Sequence, residues 1–317
     1  MLTFLLTFLI ALVLTILFTP MVRSFAPGLG AMDKPSERKV HTALIPRLGG
    51  VAIFAGFFIA VLVGLLIAFS QGAHINPKPI IGVLLGGSIV FLTGLTDDLR
   101  GLRPLTKLTW QVIGAGVAIY FGVSITYISN PFDGPFVLGF IAVPLTLLWL
   151  VGMTNAVNLI DGLDGLAAGV TAISAGTLFF VALRTHQFGA ALLMVAIAGA
   201  ALGFLRYNFN PASIFLGDSG SYFLGFVLAA AAIVGVFKTT LVVALIIPIL
   251  ILGVPIFDTA FAIVRRLKER KSMLAADNRH IHHLLLRAGL TQREAVMSIY
   301  IVCFLLSMTA IIMALQK

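Results

Sequence analysis

Residues 91–102 read FLTGLTDDLRGL and close an apolar run that begins near residue 79. The run is long enough to enter a bilayer, yet it ends on two adjacent aspartates, Asp97 and Asp98, with Arg100, Arg103 and Lys107 just beyond. Two side chains one residue apart cannot share a helical face, and a helix C-terminus disfavours negative charge. Such a pair therefore needs a cation or a basic partner, and Mg²⁺, Arg100, Arg103 and Lys107 are the candidates. The plain alternative is a solvated helix end with local ion pairs.

The whole chain supports the membrane reading. Its 317 residues are 60% hydrophobic and only 10% charged, with a mean hydropathy of +1.09. That much apolar surface exceeds what one soluble core can cover, so the solvent is largely lipid. A single cysteine, Cys303, excludes an intramolecular disulfide. The apolar first 20 residues carry no basic leader and read as a retained helix. Ten candidate spans follow, near 2–22, 48–70, 79–96, 106–123, 135–155, 165–183, 189–205, 221–236, 240–263 and 296–315. With this alternation, 17 of the 21 lysines and arginines fall on one side, leaving Lys78, Arg184, Lys238 and Lys317 on the other. The positive side is cytoplasmic and both termini point outward. Of the 12 acids only Asp133 lies outside, which places any chemistry at the cytoplasmic face. No repeat, linker or second domain is visible, so residues 1–317 read as one all-α integral membrane domain.

Three further cytoplasmic segments carry chemistry. In NAVNLIDGLDGLAAG, Asn155, Asn158, Asp161 and Asp164 recur at three-residue steps, one polar stripe on a helical turn. Gly162 and Gly165 would let a ligand approach the backbone. Helix capping accounts for one or two of the four. In NFNPASIFLGDSGS, Asp218 stands between Gly217 and the run Ser219, Gly220, Ser221, just before an apolar helix. Backbone N–H groups at such an entrance suit phosphate, and a carboxylate beside them suits the magnesium that phosphate brings, so Asp218 is the candidate metal ligand. A simple N-cap is the alternative, and Phe215 alone would be interfacial. In DNRHIHHLLLRAGL, His280, His282 and His283 cluster beside Arg279, with His280 and His283 expected on one helix face. With Arg279 they could grip a diphosphate; a zinc site lacks cysteines and a paired motif, and a basic loop touching anionic lipid explains arginines better than histidines.

In order and spacing, GLTDDLRGL, NAVNLIDGLDGLAAG, IFLGDSGS, PIFDT and HIHHLLLRAGL resemble the polyprenyl-phosphate N-acetylhexosamine-1-phosphate transferases over nearly the whole chain. The resemblance implies ten transmembrane helices, a cytoplasmic Mg²⁺ site (with Mn²⁺ as a substitute), and transfer of a sugar 1-phosphate from a UDP-sugar to a polyprenyl phosphate with release of UMP. RKVHTALIPRLGG and the HIHH loop look like the WecA/TagO branch, which uses UDP-N-acetylglucosamine, rather than the muramoyl-pentapeptide branch, MraY. It implies roles in turn: Asp97 and Asp98 for the lipid phosphate, Asp218 for magnesium, Asp161 and Asp164 near the nucleotide, Phe215 stacking on uracil, and Arg38, His41 and Arg47 as nucleotide or diphosphate contacts. Asp258 fits the same pattern, with a packing role beside Arg265 as its alternative. A homodimer in the plasma membrane, feeding a cell-surface polymer such as lipopolysaccharide or teichoic acid, is implied as well, with no nucleic-acid partner. Two other classes use membrane carboxylates. An ion-coupled transporter would place them at the midplane, and an intramembrane prenyltransferase would follow Asp97 and Asp98 with another acid where this chain has Arg100.

Overall fold

The computed structural model describes residues 1–33, 44–128, 136–237, 246–270 and 279–315. Arg38 and His41 lie outside these residues. The chain runs through α1 (Leu2–Phe25), α2 (Gly49–Ser70), α3 (Pro77–Arg100), α4 (Pro104–Tyr120), α5 (Ala142–Ile160), α6 (Leu166–Arg184), α7 (Phe188–Asn208), α8 (Gly217–Ala232), α9 (Ile246–Ile251), α10 (Gly253–Lys268), α11 (Ile281–Arg287) and α12 (Gln292–Leu315). Two small antiparallel ribbons interrupt it: β1 (Met32–Asp33) with β2 (Ile45–Pro46), in the register Met32 to Pro46, and β3 (Tyr127–Ile128) with β4 (Phe136–Val137). Among the described residues, eight helical stretches are long and apolar enough to cross a membrane. The protein is an all-α, multi-pass membrane protein.

Small residues decide how these helices pack. On α1, Thr3, Thr7, Ala11, Thr15 and Thr19 form a buried stripe repeating every four residues. Opposite it, Gly56 and Gly64 of α2 face Thr15 and Thr7, and Gly203 of α7 lies against the Leu12 carbonyl, where an added Cβ would sit 2.6 Å from the oxygen. In lipid, apolar surface gives helices little reason to associate, so close backbone approach through small residues supplies the packing. The large residues of α1, among them Leu5, Leu9, Val13 and Leu17, point outward. By contrast, every residue of α8 from Ser219 to Ala232 is buried, against α2, α3, α5, α6 and α7. A helix apolar all round belongs at the centre of a bundle, and α8 occupies that place.

Two spans differ from the sequence expectation. The run expected as one helix over 240–263 is described from residue 246, and there it is broken into α9 and α10 around Leu252. Pro255 explains the break: it has no N–H for the Ile251 carbonyl, and its ring collides with that carbonyl in a continuous helix. The helix expected from residue 221 begins instead at Gly217, so Asp218 lies inside its first turn rather than ahead of it. At 17 residues, α4 is about 25 Å long, short for a full crossing.

Candidate active site

The N-terminus of α8 meets the C-termini of α3 and α5 and the N-termini of α2 and α4 at one end of the bundle. Close packing brings them there. Gly94 of α3 lies against the backbone of Asp218 and Ser219, and Gly50 of α2 lies against Gly220. The strand-like segment after β2 runs alongside: Phe215 N–H donates to the Pro46 carbonyl at 2.7 Å, and Gly49 and Gly50 N–H donate to the carbonyls of Phe215 and Leu216 at 2.9 Å each. Gly217 turns the chain into α8 with φ +75°, a conformation that disfavours a side chain, and a Cβ there would also sit 2.7 Å from Asp98 Oδ2.

The adjacent aspartates are buried, Asp97 9% and Asp98 4% exposed, so a solvated helix end is excluded. They do different work. Asp98 accepts the N–H groups of Asp218 and Ser219 through its two oxygens, at 2.9 Å each, and so caps α8. The sequence reading offered those same N–H groups to a substrate phosphate; a carboxylate from α3 already holds them. Arg47 donates from Nη2 to the Asp98 carbonyl at 2.6 Å, closing the loop over the helix end. Asp97 accepts the Leu102 N–H at 2.5 Å and forms an ion pair with Lys107 of α4. Lys107 also reaches Asp218 Oδ2 at 3.3 Å, so one ammonium group serves both carboxylates.

The asparagine and aspartate stripe divides. Asn158 Nδ2 donates to Asp218 Oδ1 and to Ser221 Oγ, both at 2.9 Å, while Asn155 donates to Gln111 of α4 at 2.7 Å. Asp161 ends α5 and has no side-chain hydrogen bond among the described residues. Burial, followed by the charges of Asp218, Asp98 and Asp164, holds its carboxyl well above the ordinary carboxylate range. Asp164 turns away. It accepts from Asn210 Nδ2 at 3.0 Å and the Ala212 N–H at 2.9 Å, fixing the loop that leads to Phe215. Phe215 is half-buried there.

The histidines close the site from the side of α11. His282 is 2% exposed, and its Nε2 packs against Gly162, beside Asp161. Its ring lies 4.2 Å from that of His283 and parallel to that of His280, 5.9 Å away. Burial, and then the neighbouring His283 and His280, push its pKa down to about 4. The expected pairing of His280 with His283 on one helix face is looser, at 6.4 Å between centroids, because His280 is the N-cap of α11 rather than part of it. Arg279 forms an ion pair with Glu269 at 2.6 Å, at the edge of an apolar cleft of about 700 Å³ between α10 and α12.

Asp97 and Asp218 thus share Lys107 at the head of α8, Asp98 caps the same turn with Arg47 on its carbonyl, and Asp161 stands at the end of α5, all at helix ends rather than at the middle of a span. Among the described residues no three carboxylate or imidazole groups stand close enough to ligate one ion by themselves. Magnesium asks for less, binding through one or two carboxylates and completing its shell with water and substrate phosphate. An all-oxygen set led by Asp218, with Asp161 beside it, fits a hard cation. Sequence reasoning named Lys107 only as one of several basic partners and missed Gln111, Gly94 and Asn210. A glycine spaced one helical turn before Asp98 was the visible signal for the first contact with α8.

A membrane bundle with carboxylates and basic groups gathered at one end defines a class of enzymes acting on anionic substrates. The family model described as Glycosyl transferase family 4 matches residues 80–236, and the chain belongs to the phosphotransferase superfamily that includes WecA, TagO and MraY. It is 40% identical, over 96% of its length and 84% of the relative's, to the Bacillus subtilis protein named "Probable undecaprenyl-phosphate N-acetylglucosaminyl 1-phosphate transferase". It is 37% identical, over 92% and 77%, to the decaprenyl-phosphate N-acetylglucosaminephosphotransferase of Mycolicibacterium smegmatis. To the phospho-N-acetylmuramoyl-pentapeptide-transferase of Bacillus anthracis it is 32% identical, over 96% and 94%.

Proposed function

We propose that the protein transfers N-acetylglucosamine 1-phosphate from UDP-N-acetylglucosamine to undecaprenyl phosphate, giving undecaprenyl-diphosphate-N-acetylglucosamine and UMP, at the cytoplasmic face of the plasma membrane. The observation that carries this reading is the pairing of Asp97 and Asp218 with Lys107 at the head of α8, where Asp98 caps the same turn. The higher identity to the two N-acetylglucosamine relatives than to the muramoyl-pentapeptide relative supports the donor. The charge asymmetry of the loops supports the cytoplasmic side, with α4 and the α9 and α10 pair completing ten crossings.

Two anionic substrates must meet here, so charge neutralisation is the main task. A phosphate monoester is largely dianionic at neutral pH, and the lipid phosphate attacks the sugar-bearing phosphorus directly. The new lipid-oxygen to phosphorus bond forms as the bond to the UMP oxygen breaks. Asp218 is the residue that would hold Mg²⁺, which would supply charge neutralisation for the diphosphate when bound. Asn158 and Lys107 hold the Asp218 carboxylate from both sides, and Asp98 fixes the backbone beneath it. Since both Asp98 oxygens are engaged by N–H groups and Asp97 is paired, neither is arranged as a free nucleophile, which supports a single displacement. His282 borders the site through Gly162, while Arg279 lies further out, at the cleft between α10 and α12. Purified protein incubated with undecaprenyl phosphate, Mg²⁺ and a panel of UDP-sugars tests the donor. Mass spectrometry is expected to show the N-acetylglucosamine diphospholipid alone, and a muramoyl-pentapeptide product would overturn the reading.

A further inference from the structure

Asp258 on α10 has no part in the reaction as described, yet its carboxylate is buried, at 7% exposure. Both its oxygens go to one short segment. Oδ2 lies 2.8 Å from His280 Nδ1, and Oδ1 accepts the Ile281 N–H at 2.8 Å. The His280 ring is buried as well, at 4%, and stacks parallel to His282, which packs against Gly162 beside Asp161. Asp258 thus holds one imidazole, whose parallel neighbour His282 packs on Gly162, next in sequence to Asp161.

We propose that Asp258 is a positioning residue for the phosphotransfer, holding His280 in one tautomer and one orientation so that its Nε2 serves the substrate phosphates. The role rests on the transferase reading given above. An ionised carboxylate only accepts hydrogen bonds, so the bond to Nδ1 requires the proton to be on that nitrogen. Neutral His280 then carries its lone pair on Nε2, and a proton gained there leaves an imidazolium whose charge faces Asp258. Burying a carboxylate is costly unless its oxygens are well paired. Fixing the start of α11 needs only the bond to Ile281; the second bond is the one that acts on the ring. Because Asp258 and His280 come from different elements, the pair also sets the ring's position relative to α10.

Asp258→Asn tests this with little change of shape. The amide oxygen can still accept from Ile281, while its NH₂ group faces His280 Nδ1 and drives the ring proton to Nε2. The expected result is a kcat lower by about 10- to 100-fold, the size of loss seen when the carboxylate partner of a metal-ligating histidine is removed, with KM for UDP-N-acetylglucosamine little changed. In a His280→Ala background the same substitution is expected to cost no more than about twofold, the ordinary scatter of additivity. Equal losses in both backgrounds, or a loss confined to KM, would overturn the proposal. A second readout needs no substrate. In ¹⁵N-histidine-labelled protein at alkaline pH, the His280 signals, assigned by their absence in His280→Ala, are expected to show Nδ1 protonated and Nε2 bare. The opposite tautomer in the native protein would overturn the proposal whatever the activity, whereas the expected tautomer in a protein inactive on UDP-N-acetylglucosamine would count against the functional reading alone.

Discussion

Gly94→Ala is a small change that reaches the centre of the site without altering a polar side chain. A Cβ at Gly94 would lie 2.5 Å from the Asp218 carbonyl carbon and 2.6 Å from Ser219 Cα, both backbone atoms of the first turn of α8. Neither can rotate aside. Restoring ordinary contact near 3.4 Å moves the head of α8 away from α3 by roughly 1 Å, stretching the two N–H bonds to Asp98. Replacing a helical glycine by alanine contributes about 1 kcal/mol, while overpacking a rigid contact costs about 1 to 3 kcal/mol. With backbone on both sides the cost is at its upper end, so the net loss is about 1 to 2 kcal/mol. Activity suffers more, since a misplacement of about 1 Å costs about 100-fold. The assay pairs turnover with thermal unfolding in detergent and uses Gly116→Ala as a control. Gly116 is on α4 with nothing within 4 Å of its added Cβ, so that variant is expected to be fully active and no less stable. A Gly94→Ala protein with native turnover and an unchanged melting midpoint would refute the packing argument.

Asp218→Asn is expected to lower kcat by at least about 100-fold and to flatten the Mg²⁺ dependence without unfolding the protein; near-native activity at ordinary Mg²⁺ would return Asp218 to a helix-capping role. Lys107→Gln leaves Asp97 and Asp218 facing each other without a cation, and turnover assayed over a Mg²⁺ series is expected to fall by at least about tenfold with an increased Mg²⁺ requirement. The His282 pKa, held near 4 against an ordinary 6.5, means that the folded protein takes up this proton less readily than the unfolded chain. Stability is therefore unaffected above pH 6.5 and is lost as pH falls from 6.5 to 4, by about 3 kcal/mol at the lower end. Melting curves across that range are expected to show the advantage of the native protein over His282→Gln shrinking on acidification, and a constant gap would contradict it.

Much of this architecture was legible in the chain because lipid leaves few choices: an apolar run of about 20 residues must be a helix. The functional side chains could also be named, since polar residues are scarce and cluster in a few loops. Their pairings could not. Asp98 and the α8 N–H groups are 120 residues apart, and nothing local shows that one end of α3 caps another helix. Lys107 was one of three nearby cations, and only the rotation of α4 selects it. Asp164 belongs to the same three-residue series as Asp161 but follows the turn after α5, so the helical stripe ends at Ile160, before it could place Asp164 in the site. The expected roles of Arg38 and His41 lie outside the described residues.

The central claim is that phosphorus moves with the sugar. UDP-N-acetylglucosamine carrying ³²P at the sugar-bearing phosphorus, incubated with the purified protein, Mg²⁺ and undecaprenyl phosphate, tests this directly. The expected result is label in the lipid product and unlabelled UMP in the aqueous phase. Label recovered in soluble UDP, with only the sugar on the lipid, would contradict the account.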